Sequence, residues 1–137
     1  MKLIFELEPV EQARPRAVRM RRGIRMYDLK KVAVYKRQLA IMAVAMYDGK
    51  PLEGQLSLKV TFYRNIQKSI SKKERAKRLS GEHRPTVKPD ASNYLKSFED
   101  ALNGIIWKDD ALIVHEEVDK KYSDHPRIEM EVEPYES

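Results

Sequence analysis

The sequence predicts an α+β fold in which a small mixed β-sheet carries two main amphipathic helices. Two patterns indicate this class. Three segments alternate apolar and polar residues as half-buried strands do, and a fourth is less cleanly patterned. Two longer segments place apolar residues at intervals of three and four. A chain of 137 residues with 42% apolar content can also bury one core without cross-links. We therefore expect residues 1–137 to form a single domain.

The first half of the chain is predicted to form two strands and one long helix. Leucine and phenylalanine alternate with other residues over positions 3–7, as in a strand with one exposed face. The helix is predicted to begin at the N-cap Asp28 and to end at Gly49. Its apolar side consists of Val32, Tyr35, Leu39, Met42 and Met46. Alternation over residues 56–62 predicts the second strand.

A basic insertion is predicted over residues 64–88, between the second strand and the second long helix. Ser71 and Glu74 have the spacing of a capping box, and Gly81 is a typical residue for a helix end. These signals predict a short basic helix inside the insertion.

The second long helix is predicted to follow Pro89 and to stop at Asn103-Gly104. Its apolar side is formed by Tyr94, Leu95, Phe98, Ala101, Leu102 and Ile105. Two strands follow, in the segments ALIVHEEV and RIEMEVE. In the second of these, Ile128, Met130 and Val132 alternate with glutamates, which completes the predicted sheet.

Composition excludes several classes of protein. The chain has no cysteine, so it has neither a disulfide framework nor a thiolate site. No apolar run approaches the roughly 20 residues that a membrane span needs. The N-terminal residues also lack the apolar region of a signal peptide. We therefore expect a cytoplasmic protein with no membrane partner.

The net charge of +6 is unevenly distributed. Residues 14–37 hold ten Lys and Arg against one Asp, a balance of 10 − 1 = +9, and residues 64–88 hold nine against two Glu, a balance of 9 − 2 = +7. The rest of the chain therefore carries 6 − 16 = −10. Such basic stretches are often simply solvated surface, but they are also typical of proteins that contact a phosphate backbone. Nucleic acid is the partner that we favour.

Acidic residues occur at both ends of the second long helix in this basic chain. Asp90 lies at its predicted start, and Asp109 and Asp110 follow its end. Taken alone, Asp90 is expected to cap the helix, and Asp109 and Asp110 are expected to form a polar turn. They would converge if the segment IIW doubled back along the helix as a strand. Convergent carboxylates without Cys or His suit Mg²⁺ or Mn²⁺, which can bridge them to a phosphate.

Residues 88–114, KPDASNYLKSFEDALNGIIWKDDALIV, resemble the signature of the RusA family of Holliday junction resolvases. The family pattern is Lys-Pro-Asp-x-Asp-Asn, a Lys three residues after the Asn, Asp-Ala-Leu, and Trp-x-Asp-Asp ahead of a strand. Upstream, ARPRAVRMRRGIRMYDLKK resembles the family's Arg-Pro-Arg segment with its later Gly and Tyr. The resemblance covers most of the chain.

This resemblance implies a homodimeric, Mg²⁺- or Mn²⁺-dependent endodeoxyribonuclease of a type often encoded by phages and prophages. Such an enzyme makes paired nicks across a four-way or branched DNA. By motif, Asp90 and Asp110 match metal-binding residues, and Lys96 matches the catalytic lysine. Asp109 and Asn93 match residues with supporting roles.

Ser92 departs from the family pattern, because it stands where a second Asp is usual. A hydroxyl can ligate a metal or bond to its water, but it brings no charge. Asp109, Asn93 or the partner subunit could supply the missing oxygen. Alternatively, the protein is a non-catalytic or weakly catalytic binder of branched DNA. Asp100 matches a helix Asp that we expect to be structural, or paired with Lys96 on the surface.

A homodimer would present each basic segment twice, as suits a nearly two-fold DNA junction. The residues expected to contact phosphates are Arg14, Arg16, Arg19, Arg21, Arg22, Arg25, Lys72, Lys73 and Lys88. Two further alternatives stay open: an RNA-binding protein, and an interaction protein that uses the Val32–Met46 stripe as its interface with a partner. Trp107 is expected to be a packing anchor, and His83, His115 and His125 are too scattered to form a ligand motif.

Overall fold

The computed structural model describes residues 1–12 and 22–136, with the backbone alone for residues 22–29. Three helices and four strands are present in this part of the chain, together with one 3₁₀ turn at Asp110–Leu112. In chain order the elements are β1 (Lys2–Phe5), α1 (Arg22–Met46), β2 (Leu56–Asn65), α2 (Lys72–Ser80), α3 (Ala91–Leu102), β3 (Ile113–Ser123) and β4 (Arg127–Pro134). The predicted α+β class is confirmed.

The strands form one mixed sheet in the order β1-β4-β2-β3. β4 pairs antiparallel with both β1 and β2, whereas β2 and β3 are parallel. A parallel pair needs a crossover connection, and α2 and α3 lie in the connection between these two strands. β3 is therefore an edge strand that follows directly after the acidic turn.

The core lies between one face of the sheet and the helices α1 and α3. Alternate residues of β2, namely Leu58, Val60 and Phe62, are fully buried, as period-two alternation predicts. The Phe98 ring of α3 makes edge-to-face contacts with Phe5, Phe62 and Trp107, at centroid distances of 5.6, 5.8 and 6.4 Å respectively. These aromatic contacts fix α3 over the sheet and anchor the chain that follows it.

The opposite face of the sheet bears a row of alternating charges. Lys2 lies beside Glu131, Glu131 beside Lys59, and Lys59 beside Glu117, in four adjacent strands. The Lys59 ammonium lies 4.0 Å from the Glu117 carboxylate. Opposite charges on directly opposed residues stabilise strand pairing, so this row helps to hold the register of the sheet.

Helix α2 has the caps that the sequence predicts. The Ser71 side chain accepts a hydrogen bond from the Glu74 N–H at 3.1 Å, and Gly81 ends the helix in the left-handed conformation with φ 85°. The Arg78 guanidinium lies 4.4 Å from the centre of the Tyr122 ring of β3. The basic insertion is thus attached to the far end of β3.

Several predicted boundaries are wrong. Helix α1 begins at Arg22 rather than after Asp28, so Asp28 is an interior residue and not an N-cap. Met46 is exposed, and Ala43 takes the buried position one turn after Leu39. β1 ends at Phe5, although Leu7 still packs against the core.

The segment Ile105–Trp107 also differs from the prediction, because it forms a turn rather than a returning strand. Ile106 and Trp107 are fully buried, and Trp107 pairs with Leu52 in an isolated bridge. Burial holds this turn in place, and β3 makes the return run along α3. Among the described helices, none has the length and apolar character that a membrane span requires.

Candidate active site

Asp90 occupies the N-cap position of α3 with its side chain exposed. Its carboxylate makes no capping hydrogen bond, whereas its backbone carbonyl accepts from the N–H groups of Asn93 and Tyr94 at 3.1 and 3.2 Å. The carboxylate is thus available at a helix N-terminus, where the helix dipole favours negative charge. Ser92, two residues further on, is exposed as well.

Two basic side chains hold the chain just before Asp90. Lys120 of β3 donates through Nζ to the carbonyls of Val87 and Pro89, at 3.2 and 3.0 Å. Arg64, near the end of β2, donates to the Lys88 carbonyl at 2.9 Å. These bonds to the backbone position Asp90 from the sheet, and they bring cations close to it.

The second acidic position is the turn ahead of β3, which the buried Trp107 anchors. The Trp107 indole Nε1 donates to Asn103 Oδ1 at 2.9 Å, which confirms the predicted packing role. Asp109 caps the 3₁₀ turn, because its Oδ1 accepts from the Ala111 N–H at 3.1 Å. Asp110 is the first residue of that turn and is half-buried.

Asp109 and Asp110 have opposite electrostatic environments. The hydrogen bond from the Ala111 N–H, followed by one from Asp110, lowers the pKa of Asp109. Burial raises the pKa of Asp110, and the hydrogen bond and negative charge of Asp109 and the charge of Asp100 raise it further. Lys96 opposes that rise. The two adjacent carboxyls are therefore electrostatically coupled, and a cation bound between them would relieve their mutual repulsion.

Lys96 and Asp100 lie on the outward side of α3. The Lys96 ammonium is 3.8 Å from Asp100, and Lys36 of α1 reaches the same carboxylate at 3.5 Å. Asp100 therefore joins α3 to α1, which supports its expected structural role. Lys96 is well exposed, and its ion pair with Asp100 leaves the ammonium free to move toward a ligand.

Glu99 is a buried acid that the sequence interpretation did not single out. It is 8% exposed, and its Oε2 has no hydrogen-bond partner. Burial, followed by a hydrogen bond to Glu116 and by the charges of Glu116 and Asp110, raises the pKa of Glu99 to about 9. The spacing was informative, since Glu99 follows Leu95 by four residues and precedes Leu102 by three, on the apolar side of the helix.

The acids therefore lie in two regions along α3. Asp90 is at the N-terminal end, beside Lys120, while Asp110 interacts electrostatically with Lys96, Glu99 and Asp100. At about 1.5 Å per residue, Asp90 and Asp100 are roughly 15 Å apart along the helix axis. Among residues 1–12 and 22–136, no group of three or more His, Asp or Glu side chains is arranged to hold a metal ion. The predicted site of Asp90, Ser92, Asp109 and Asp110 remains a prediction.

The basic residues predicted to contact DNA are only partly described. Lys72, Lys73 and Lys88 are exposed, in the first turn of α2 and just before Asp90. Arg14, Arg16, Arg19 and Arg21 lie outside the described residues, and so do the side chains of Arg22 and Arg25. The Gln12 N–H donates to the Asn93 carbonyl at 3.1 Å, so the chain leading to the first basic segment is bound to α3.

Comparisons with known proteins identify the family of the chain. A family model described as "Endodeoxyribonuclease RusA" matches residues 6–133 of the chain. The chain is also similar to an uncharacterized protein, YqaN, of Bacillus subtilis (strain 168), with 40% identity over 125 residues. That alignment covers 90% of this chain and 88% of the relative.

Proposed function

The chain belongs to the RusA endodeoxyribonuclease family, and from that premise we propose that it resolves four-way DNA junctions by paired, Mg²⁺- or Mn²⁺-dependent nicks. The observation that carries the proposal is the family match over residues 6–133, which includes Asp90, Lys96 and Asp110. All three are accessible to solvent, wholly or in part, at α3 and the turn before β3. The reaction is hydrolysis, in which one phosphodiester P–O bond breaks and one water adds to phosphorus.

The donor set suits a hard divalent cation. Carboxylates and a hydroxyl are oxygen ligands, and Mg²⁺ commonly binds through one or two carboxylates and completes its shell with water and phosphate. Asp90 and Asp110 would hold the cation, with Asp109 and Ser92 as further oxygens. When bound, the cation neutralises phosphate charge and increases the acidity of an attacking water.

Lys96 is the residue that we expect to act on the substrate phosphate. Its exposed ammonium lies near Asp110, and its partner Asp100 also pairs with Lys36. Because Asp100 keeps a second cation, Lys96 can turn toward a phosphate without leaving that carboxylate uncompensated. A positive charge at this position stabilises the negative charge that develops on phosphate oxygens during hydrolysis.

We expect the basic insertion to contact the phosphates of one junction arm. Helix α2 presents Lys72 and Lys73 in its first turn, and contacts of Arg78 and Arg84 with β3 hold the insertion to the sheet. Cations on a helix that is fixed to the site can position a backbone without reading its sequence. Arg14 and Arg16 would serve the same purpose from the first basic segment.

A homodimer is part of the proposal. The outward side of α1 carries three large apolar residues, Val34, Ile41 and Val44, with exposures of 45, 63 and 60%. They lie seven and three residues apart and therefore share one side of the helix. Exposed apolar patches of this kind commonly mark interaction surfaces. Two-fold pairing would place two active sites on one junction.

The second candidate function is binding of branched DNA with little or no cleavage. Ser92 favours it, because loss of a carboxylate weakens attraction for a divalent cation. Asp110 lies close to Asp100, and the separation of Asp90 from Asp100 along α3 also favours this second candidate. For cleavage, DNA or a partner subunit would have to complete the metal site. Under this alternative the basic segments keep their function and the acids do not.

Cleavage of a labelled four-way junction distinguishes the two candidates. We expect the wild-type protein to nick the junction with Mn²⁺ or Mg²⁺, and to leave a linear duplex of the same sequence uncut. Asp110→Asn should abolish cleavage and retain junction affinity within about threefold. Asp124→Asn, which changes an exposed aspartate in the loop before β4, is the matched control and should cleave normally.

Lys96→Met tests the second active-site residue in the same assay. Cleavage should fall by about 100-fold or more, since one charge that stabilises the transition state is lost. The free energy of unfolding should change by less than about 0.5 kcal/mol, because the Lys96–Asp100 pair is a partly exposed i,i+4 pair. Tight junction binding without cleavage, across all concentrations of both metals, would instead establish the binding protein.

A further inference from the structure

A carboxylate pair lies beside the motif acids but does not belong to them. Glu99 is more than nine-tenths buried, and Glu116 of β3 is exposed. Glu116 and Asp110 both act electrostatically on Glu99 and raise its pKa, so the three carboxyls lie near one another. The pair therefore extends the acidic region of Asp110 inward, between α3 and the edge strand.

Strand register explains why Glu116 points toward α3. Glu116 lies beside Leu58 of β2, and Val118 lies beside Val60. Residues directly beside each other in neighbouring strands project from the same face, and Leu58 and Val60 are buried on the helix-covered face. Because β3 is the edge strand, Glu116 sits at the margin of that face, where solvent reaches it.

The Oε2 atom of Glu99 lacks a partner that a bound ligand would supply. This oxygen is buried and has no hydrogen-bond partner among the described residues. A buried polar atom without a partner destabilises the folded protein, and replacing buried charged groups by apolar ones is commonly neutral or stabilising. A purely structural residue at this position of α3 would serve better as leucine.

We propose that Glu99 and Glu116 bind a divalent cation at a site that adjoins Asp110 and is distinct from the motif acids. Two carboxylates are sufficient for such a site, because Mg²⁺ and Mn²⁺ complete their shells with water. The cation would replace the proton that Glu99 holds, which would be released to solvent, and it would coordinate the free Glu99 Oε2 atom. Exposed Glu116 gives it a route in from solvent.

The site can be tested without DNA, so its test is independent of nuclease activity. Mn²⁺ binding is measured by titration calorimetry, and the thermal midpoint is measured with Mn²⁺ and with EDTA. We expect Glu99→Gln and Glu116→Gln each to lose one Mn²⁺ equivalent, or to weaken its binding by tenfold or more. Each should also lose the Mn²⁺-dependent rise in thermal midpoint that the wild-type protein shows.

Two control variants separate this site from its surroundings. Glu117→Gln changes the next residue of β3, which points to the opposite face beside Lys59, and should bind Mn²⁺ like the wild-type protein. Asp90→Asn should retain the equivalent that Glu99→Gln removes. Exposed Glu116 can be changed without disturbing the core, so its variant remains informative even if Glu99→Gln folds poorly.

The possible outcomes are distinct. If Glu116→Gln and Glu99→Gln bind Mn²⁺ with the wild-type stoichiometry and affinity, the site does not exist. The same conclusion follows if the wild-type protein binds no Mn²⁺ without DNA. If the wild-type protein binds Mn²⁺ and the Glu116→Gln variant does not, but the wild-type protein never cuts a junction, the cation site stands and the proposed nuclease function fails.

Discussion

Single residues of the same type behave differently here because their surroundings differ. Asp90 is exposed at a helix start, Asp109 is bound to a backbone N–H, and Asp110 is half-buried beside other acids. Glu99 is the extreme case, since burial raises its pKa to about 9. Carboxyl groups along α3 and the turn that follows it thus meet solvated, hydrogen-bonded and buried environments.

Glu99 makes stability depend on pH in a predictable direction. Its pKa is raised from the ordinary value of 4.5 to about 9 in the folded chain, so the folded protein retains a proton that the unfolded chain releases. Stability from this group is full below about pH 4.5 and is lost as pH rises toward 9. Glu99→Gln cannot ionise, and we expect it to be more stable than the wild-type protein at pH 8 by about 1–2 kcal/mol.

Urea unfolding in EDTA at pH 5 and pH 8 measures the effect. The difference between Glu99→Gln and the wild-type protein should be small at pH 5 and larger at pH 8. Glu117→Gln, which changes an exposed acid, should follow the wild-type protein at both values. Equal destabilisation of Glu99→Gln at the two pH values would show that Glu99 is ionised in the folded state.

At the scale of elements, α1 has two apolar sides with different neighbours. Val32, Tyr35 and Leu39 are buried on the sheet side, which confirms that the predicted stripe is mainly core. Val34, Ile41 and Val44 project outward. Sequence periodicity identified the first set, but the outward set was not singled out, because the exposure of apolar residues depends on which elements pack against the helix.

We predict that Ile41→Glu combined with Val44→Glu separates a dimer into monomers. Two charges in an apolar interface would lose their hydration without gaining partners, whereas in a monomer both positions are already exposed. Light scattering after size exclusion should show the mass falling from about twice to once that of the 16.1 kDa chain. Leu79→Glu, at an exposed apolar position of α2, should leave the mass unchanged. A wild-type monomer would refute the dimer.

Strands and caps were predictable from the sequence, while long-range placement was not. The alternation of Ile128, Met130 and Val132 and the capping pair of Ser71 with Glu74 are local signals, and the structure confirms them. The turn at Trp107 was mistaken for a strand because apolar runs do not distinguish a buried turn from a buried strand. Lys120 and Glu116 were missed because only strand register brings β3 alongside α3.

For the whole molecule, the described surfaces differ in how far their charges are balanced. On the face of the sheet opposite the helices, Lys2 and Lys59 lie beside glutamates in neighbouring strands. Within residues 1–12 and 22–136, no ion pair involves Lys72 or Lys73, and the first basic segment follows Gln12 in sequence, which is bonded to α3. Both basic segments therefore connect to elements of the candidate site, which is the arrangement that a DNA-binding nuclease requires.

This division predicts which lysines and arginines determine the salt dependence of junction binding. Each phosphate contact that is lost should reduce the slope of log K against log [salt] by about 0.9. Arg14→Ala with Arg16→Ala, and Lys72→Ala with Lys73→Ala, should each flatten the slope by about 1–2, measured by fluorescence anisotropy in EDTA. Lys2→Ala with Lys59→Ala removes the same charge from the face of the sheet opposite the helices and should leave the slope unchanged. Equal slopes for all three pairs would mean that net charge, and not contact at these segments, drives binding.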